Sequence, residues 1–206
     1  MPGGSHGGMV AAVSFEVRIH GRGGQGVVTA AELMSVAGFD EGRHAQAFPS
    51  FGSERTGAPV VSFCRFADSP IRTREPVAHP DALIVQDATL LHQVDVFSGL
   101  QPDGYVLINT TRSFRELGLE DLLGRHREDR LRTVAASDLA REHIGRPVPN
   151  AALLGGFAAL TGQLSIDSVV AAIRDRFRDA LADGNAAAAL TAYEHVRAEM
   201  MEPTGA

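Results

Sequence analysis

The chain has 206 residues, of which 44% are apolar, and its formal net charge at pH 7 is −6. This length suits one buried core, and the acidic balance, with no basic face interleaved with aromatic residues, excludes nucleic acid as a natural partner. No apolar run approaches the ~20 residues that cross a bilayer, so we expect a cytoplasmic protein with no membrane partner.

We predict a single domain with a tail at each end. Residues 1–14 are rich in glycine and lack the charged and apolar regions of a signal peptide, so we expect a flexible tail there. The domain is predicted over residues 15–202, with a short tail at 203–206. The single cysteine, Cys64, excludes an internal disulfide and a cluster held by this chain alone, since an iron–sulfur cluster uses about four ligands. Its apolar surroundings predict a buried thiol.

A glycine-rich turn follows the first predicted strand. Residues 15–20 alternate apolar and polar side chains, and apolar residues then recur at helical spacing from Val27 to Gly38. Between them lies the glycine loop, which consists of Gly21, Arg22, Gly23, Gly24, Gln25 and Gly26. A strand-to-helix turn of this composition lets the backbone approach a neighbour closely, and it leaves the first helical amides free to bind an anion or carbonyl groups.

Two nucleotide-binding interpretations of the glycine loop are weak. Gly21, Gly23 and Gly26 satisfy the dinucleotide fingerprint G-x-G-x-x-G, which also requires an acidic residue about 20 positions on, at the end of the second strand. Asp40 and Glu41 lie near that distance, but in a turn. A P-loop requires Lys and then Ser or Thr after its last glycine, where this chain has two valines. The P-loop is therefore excluded, and a dinucleotide site stays a minor alternative.

The middle of the chain alternates strand and helix patterns. Residues 43–49 make a poor strand, and we expect residues 71–73 to pair back onto the strand before them. A brief helix is predicted over 90–97, and Ser137 is expected to cap another helix with Asp138 in its first turn. Predicted strands cover residues 59–66, 82–87, 105–109 and 130–136.

The C-terminal third is predicted to be helical. An apolar helix over 151–160 precedes a longer helix that Ser165 introduces, and a break at 183–185 leads to the last helix over 186–200. The apolar stripe of the middle helix consists of Ile166, Val169, Val170, Ile173, Phe177 and Leu181. Together the patterns predict an α/β fold, in which helices flank a mainly parallel sheet that allows one hairpin at an edge.

Candidate ligand contacts fall at the carboxyl ends of the predicted strands, where the crevice of such a sheet lies. The glycine loop, Asp87 and Asn109 are all in that position, although turn or capping chemistry is the commoner use of an aspartate or asparagine there. No pair of histidines has metal-ligand spacing, and no Ser, Cys or Lys lies in a nucleophile motif. The sequence therefore predicts no catalytic residue and no metal site in this chain.

The segment over residues 48–60 is unusual for a loop. Its Pro, Gly and Ser content predicts a loop, yet it carries Phe48, Phe51 and the adjacent pair Glu54 and Arg55. Exposed loops seldom carry so much aromatic surface, so we expect a packed or partner-contacting loop. The alternative, in which the two rings fill the core beneath, stays open.

Two long motifs occur in this chain at a separation typical of one known family. They are residues 20–33 (HGRGGQGVVTAAEL) and residues 45–60 (AQAFPSFGSERTGAPV). Shorter matches follow at residues 70–72, 80–81, 149–150 and 154–155. From residue 15 to residue 193 the chain resembles the gamma subunit, or gamma domain, of the 2-oxoacid:ferredoxin oxidoreductases, and the pyruvate branch is the most similar.

The resemblance implies a division of labour among subunits. Enzymes of this family decarboxylate a 2-oxoacid oxidatively, transfer the acyl group to coenzyme A, and pass electrons singly to ferredoxin or flavodoxin. The implied partners are alpha, beta and ferredoxin-like delta subunits, with thiamine diphosphate and magnesium between alpha and beta and [4Fe–4S] clusters on beta and delta. The cofactors supply the difficult chemistry, and this chain is expected to bind none of them by itself.

The resemblance also makes the glycine loop a contact for coenzyme A or for carbonyl groups of a partner subunit. The candidate contact residues are Gly21, Arg22, Gly23, Gly24, Gln25, Gly26 and Arg55. The planar fork of Arg suits both roles, while an intrachain salt bridge from Arg55 to Glu54 or Glu32 is an equal alternative. Two other functions stay open, namely the smaller subunit of the indolepyruvate branch and a stand-alone nucleotide-binding module.

Overall fold

The computed structural model describes residues 14–50 and 56–201. Within these ranges the chain forms a six-stranded sheet and six α-helices. The strands are β1 (Ser14–Arg22), β2 (His44–Pro49), β3 (Pro59–Ala67), β4 (Ala82–Val85), β5 (Tyr105–Asn109) and β6 (Leu131–Val134). The helices are α1 (Val27–Asp40), α2 (Glu120–Arg125), α3 (Ala136–Ile144), α4 (Asn150–Thr161), α5 (Ile166–Arg176) and α6 (Asp179–Met201).

The strands lie in the order β2-β3-β1-β4-β5-β6. Strands β1, β4, β5 and β6 are parallel, and β3 is antiparallel to both of its neighbours, β1 and β2. Helices α4, α5 and α6 make up the C-terminal third. The predicted α/β fold with a mainly parallel sheet and a helical C-terminal third is confirmed.

The helices cover one face of the sheet almost completely. Helices α1 and α4 pack on the sheet in a core that includes Val17 and Ile19 of β1, Cys64 of β3 and Leu107 of β5. Helix α5 packs on α1 and α4, and α6 packs on α4. Cys64 is fully buried, as predicted, and burial raises the pKa of its thiol. The opposite face of β4 and β5 is covered by α2 and the connections around it. No helix among the described residues is long and apolar enough to cross a membrane.

Buried polar side chains occupy the face of β1 and β3 that the helices leave. Arg18, His20 and Arg65 are buried there, and Glu16 forms a salt bridge with Arg65; we call these four residues the arginine layer. Arg18 donates to three carbonyl oxygens in the connections before and after β4, and Arg65 donates to the carbonyl oxygen of Glu75. Because buried carbonyl groups need donors, these bonds fix the two connections on the sheet.

Three predictions for the first half of the chain are wrong. Residues 43–49 do not make a poor strand, since β2 is a regular edge strand that pairs with β3. Phe48 packs on Phe63 of β3 with ring centroids 5.1 Å apart. This contact partly buries β2, although the apolar pattern of residues 43–49 is too short to predict a strand. Residues 71–73 form no strand, and the helix expected over 90–97 is a short 3-10 helix at Ala88–His92.

Three predictions for the helices are also wrong. Ser137 lies inside α3 instead of capping it. Helix α5 ends at Arg176, so the stripe does not reach Leu181, which is exposed in α6. Helix α6 runs through residues 183–185, where a Cβ on Gly184 would lie 2.6 Å from the carbonyl oxygen of His143. This glycine allows close packing of α6 on α3, and it does not break the helix. Ser165, in contrast, directly precedes α5 as predicted, and the structure shows that its hydroxyl caps the helix by accepting from the Ser168 amide.

Candidate functional site

The glycine loop connects β1 to α1 through two residues with left-handed backbone. Gly24 has a φ of +92° and Gly26 a φ of +73°, values that residues with a Cβ seldom adopt. A Cβ on Gly21 would lie 2.5 Å from Val27 Cγ2, and one on Gly26 would lie 2.5 Å from Asn150 Nδ2. The loop is therefore packed closely on the starts of α1 and α4, and this packing leaves no room for a side chain at Gly21 or Gly26.

Arg22 forms the centre of a hydrogen-bond network within the chain. Its Nε lies 3.1 Å from Asp87 Oδ2, and its Nη1 donates to the carbonyl oxygen of Gly57 at 3.0 Å. Its Nη2 donates to Thr89 Oγ1 at 2.7 Å and to Gln93 Oε1 at 2.9 Å. Each nitrogen of this guanidinium thus has an acceptor in the chain itself, and Arg22 holds the loop against the connection that follows β4.

Gln25 completes the same network from inside the loop. Its Oε1 accepts from the Arg22 amide at 2.8 Å, and its Nε2 donates to Asp87 Oδ2 at 2.9 Å. Partial burial alone would raise the pKa of Asp87, but hydrogen bonds from Thr89 and Gln25 and the charge of Arg22 outweigh it and hold this pKa below its ordinary value. Asp87 is therefore an ionised anchor for the loop.

The start of α1 offers unpaired donors beside this anchored loop. The cap residue Gly26 has no side chain to accept from the helix, and the first turn contains no acidic residue. Within the described part of the chain, the amides of Val27, Val28 and Thr29 have no acceptor. Three free amides at the positive end of a helix favour an anion or a carbonyl oxygen from outside the chain.

The polar residues at the neighbouring strand ends make hydrogen bonds within the chain. Asn109 Oδ1 accepts from the Ser137 amide at 3.0 Å and so caps α3, while its Nδ2 donates to the carbonyl oxygen of Gln86 at 2.8 Å. The capping roles predicted for Asp87 and Asn109 are confirmed, because Asp87 also accepts from the Thr89 amide. Gln86 is 1% exposed, and neither atom of its amide has a partner among the residues described.

The structure brings together most, but not all, of the predicted contact residues. The glycine loop and Asp87 form one unit, whereas Asn109 lies beyond Gln86 at the end of β5. Arg55 and Phe51 fall outside the described residues, so their predicted roles stay predictions. Sequence reasoning missed Thr89, whose position two residues after Asp87 fits an Asx-type turn. It also missed the contact of Asn150 with the loop, for which the only sequence signal was the Pro-Asn pair at 149–150.

The residues of this chain do not fit an iron–sulfur cluster. The sequence contains one cysteine, and its buried thiol faces the helices. Across residues 14–50 and 56–201, no group of three His, Cys, Asp or Glu side chains is arranged to hold a metal ion.

Comparison with known proteins identifies a family. The family model described as pyruvate ferredoxin/flavodoxin oxidoreductase matches residues 16–195. Pyruvate synthase subunit PorC of Methanothermobacter marburgensis is 46% identical over 89% of this chain and 98% of its own length. The pyruvate/ketoisovalerate oxidoreductases common subunit gamma of Pyrococcus furiosus is 46% identical over 87% of this chain and 96% of its own.

A solved structure agrees with these relatives. The crystal structure of pyruvate oxidoreductase subunit PORC from Thermotoga maritima matches with a TM-score of 0.75 and 33% identity, over 88% of this chain and 96% of that one. The resemblance predicted from the two sequence motifs is confirmed. The chain belongs to the pyruvate ferredoxin/flavodoxin oxidoreductase family.

Proposed function

We propose that this chain is the gamma subunit of a multisubunit 2-oxoacid:ferredoxin oxidoreductase of the pyruvate type. Its partners are the alpha, beta and ferredoxin-like delta subunits, and ferredoxin or flavodoxin accepts the electrons. Relatives that carry the names of such subunits align over 96–98% of their own length, which supports this assignment. The indolepyruvate branch and a stand-alone nucleotide-binding module have no comparable support.

Thiamine diphosphate, magnesium and the [4Fe–4S] clusters belong to the partner subunits in this proposal. The lone buried cysteine of this chain supports that division, since thiolates must be accessible and several to hold a cluster. The chain contributes contact surface to the complex, and coenzyme A is the one cofactor that this proposal brings to its residues.

The glycine loop is the proposed contact for coenzyme A or for a partner's carbonyl groups. The single observation that carries this proposal is the set of amides at Val27, Val28 and Thr29, which have no acceptor among the described residues and lie beside a loop that Asp87 anchors. When bound, coenzyme A accepts the acyl group through its thiol, and its phosphates are the anions that such amides hold. The part of Arg22 is to keep the loop in shape, because its nitrogens already have acceptors.

A charge placed in the first turn of α1 tests the contact. Thr29→Glu adds a carboxylate where helices favour one, so we expect the isolated chain to keep its melting temperature or gain stability. The same carboxylate repels an anion, and we expect the KM for coenzyme A in the assembled complex to rise at least fivefold. Thr29→Gln is the matched neutral control and should leave KM within twofold of the wild type.

The outcomes separate the two halves of the proposal. A raised KM with normal assembly supports a coenzyme A contact, and weakened assembly with an unchanged KM supports a contact with a partner's carbonyl groups. If both are unchanged, the loop contacts neither. Arg55→Ala tests the remaining predicted contact in the same assay. Co-purification of the chain from its native host with thiamine- and iron-containing subunits tests the subunit assignment itself.

A further inference from the structure

The sheet has two edge strands, and the chain protects them unequally. At one edge β6 has four residues, and its Arg132 lies 3.9 Å from Glu199 of α6. At the other edge β2 has six residues, pairs with β3 without a bulge, and contains no Lys, Arg, Asp or Glu. Natural sheets protect a free edge with short strands, charged side chains, proline or bulges, because an open edge attracts another strand. Apart from Pro49, its last residue, β2 shows none of these protections.

The register of β2 and β3 determines which backbone groups of β2 bond to its neighbour. The Ser50 amide donates to the carbonyl oxygen of Val61 at 2.8 Å, so these two residues are a hydrogen-bonded pair of the antiparallel ladder. Bonded and non-bonded pairs alternate along such a ladder. The amides of Phe48 and Gln46, two and four residues before Ser50, are therefore also directed at β3.

The intervening residues of β2 have backbone groups that point away from β3. Ala45 and Ala47 each present an amide and a carbonyl group at the outer edge, and Pro49 presents a carbonyl group alone. Across residues 14–50 and 56–201, nothing accepts from the amides of these two alanines. Both alanines are only half-buried. Because backbone donors and acceptors need partners, this row favours a strand from outside the chain.

The last turn of α1 adds apolar surface near this edge. A Cβ on Gly38 would lie 3.4 Å from the Cβ of Ala45, so this turn lies directly over β2. The next residue, Phe39, is 72% exposed, and Val36 is 39% exposed. A cavity of about 240 Å³ also lies on β2, lined by Gln46, Ala47, Phe48 and Arg74. Side chains of an added strand would find apolar contacts here in addition to the backbone ladder.

Area and charge favour a segment of a partner subunit over a second copy of this chain. Two outward amides allow only a short ladder between copies, and a six-residue strand buries much less than the roughly 1,200–2,000 Å² of a stable interface. A contact between copies would also bring together two chains of net charge −6, each with Glu32 and Asp40 exposed on α1. A subunit that other contacts already hold needs no large area at this edge.

We propose that the outer edge of β2 receives an extended segment of a partner subunit, which adds a seventh strand to the six-stranded sheet. The amides of Ala45 and Ala47 donate to carbonyl groups of that segment, and their carbonyl oxygens accept from its amides. Apolar side chains of the segment pack near Phe39 and Phe48. This inference rests on the proposed function as a subunit of a larger complex, and the contact is distinct from the glycine loop.

A proline at the edge tests the ladder. Ala47→Pro removes an amide that points outward and leaves the bonds from β2 to β3, so we expect the fold to persist, as edge strands accept proline at such positions. Ala47→Ser keeps the amide and is the matched control. The dissociation constant of the chain for the assembled remaining subunits is measured by biolayer interferometry. We expect Ala47→Pro to weaken binding by about tenfold or more, and Ala47→Ser by less than about threefold.

Hydrogen exchange gives a second measurement that needs no substitution. In the free chain, the amides of Ala45 and Ala47 should exchange much faster than those of Gln46 and Phe48, which are directed at β3. On assembly with the other subunits, we expect the exchange of the two alanine amides to slow by about 100-fold while the other two change little.

Each outcome decides the proposal. Wild-type affinity of Ala47→Pro, or unchanged exchange of the alanine amides on assembly, overturns it while the subunit assignment stands. Failure of the wild-type chain to bind the other subunits overturns both. A dimer of the free chain that Ala47→Pro dissociates in sedimentation velocity assigns the edge to a second copy and overturns the proposal. Slow exchange in the free chain that deletion of residues 1–13 makes fast assigns the edge to this chain itself and also overturns it.

Melting temperatures of Ala47→Pro and Ala47→Ser separate loss of fold from loss of docking. If Ala47→Pro unfolds, the exchange of the alanine amides in the wild-type complex decides the proposal alone.

Discussion

Arg22 in the glycine loop and Arg65 in the arginine layer use their guanidinium groups in opposite ways. Arg22 is near the surface, yet each of its nitrogens donates within the chain. Arg65 is almost completely buried, yet one nitrogen has no acceptor in the described structure. Exposure is therefore a poor guide to which arginine has all its acceptors among the described residues. Among the described residues, the donors without an acceptor beside the glycine loop are backbone amides, and in β3 the donor without an acceptor is a buried side chain.

Removal of Arg65 should lower the stability of the fold more than any other change proposed here, because it leaves the carboxylate of Glu16 without its salt-bridge partner. Arg65→Met leaves Glu16 without its partner against the sheet, and we expect the free energy of unfolding to fall by about 3–5 kcal/mol. Urea denaturation measures this change. The double variant Glu16→Gln with Arg65→Met should recover part of the loss, and equal stability of the two variants would contradict the pairing.

The buried arginine layer also predicts a change of stability with pH, through His20. Burial, together with the charge of Arg18, lowers the pKa of His20 from 6.5 to about 4. The unfolded chain therefore takes up this proton at a higher pH than the folded chain, so the stabilising contribution of His20 is complete above pH 6.5. It falls as the pH is lowered to 4, by about 3 kcal/mol at 1.36 kcal/mol per pH unit.

His20→Gln removes this titration while keeping an acceptor for Arg18, whose Nε lies 3.1 Å from the ring nitrogen. The measurement is the free energy of unfolding in urea at pH 7.0 and pH 4.5. We expect the wild type to lose more stability than the variant between these values. His195→Gln, at an exposed position, is the control, and parallel losses in all three proteins would show that His20 does not contribute.

The smallest effect is expected at the loop. Asp87→Asn removes the charge that anchors Arg22 and Gln25, and we expect a loss of about 1 kcal/mol, since the pair is only partly buried. Hydrogen exchange of the Gly23 amide, which donates to Ala58, should become faster as the loop loosens. Asp138→Asn breaks a more exposed pair with Arg141 and should change stability by less than about 0.5 kcal/mol.

Local sequence patterns correctly predicted the elements whose structure depends on residues close to them in sequence. The alternation over residues 15–20, the glycines before Val27 and the serine before α5 each depend on neighbours in sequence. The predicted break at 183–185 was wrong because Gly184 packs closely on α3, a helix that is distant in sequence. Strand β2 was underestimated for the same reason, since its apolar contact is Phe63 on β3.

In the candidate site, too, the local features were predicted and the contacts between distant parts of the chain were not. The glycine loop was predicted in full as a close-approach turn, because a strand, four glycines and a helix are visible in one short segment. The acceptors of Arg22 were not predicted, since Asp87, Thr89 and Gln93 lie more than sixty residues further along the chain. The lack of an acceptor for Arg65 Nη1 among the described residues left no trace in the sequence, where Arg65 is one polar residue in an apolar strand.

The single buried cysteine gives this protein an internal probe of its own opening. Cys64 lies in β3 between β1 and β2, with no exposed surface and a raised pKa, so a thiol reagent in solution meets neither access nor thiolate while the chain is folded. Labelling of that sulfur therefore counts the molecules in which the centre of the sheet has opened. Comparison of labelling in the free chain and in the complex would then report how much assembly slows that opening, with no engineered residue needed.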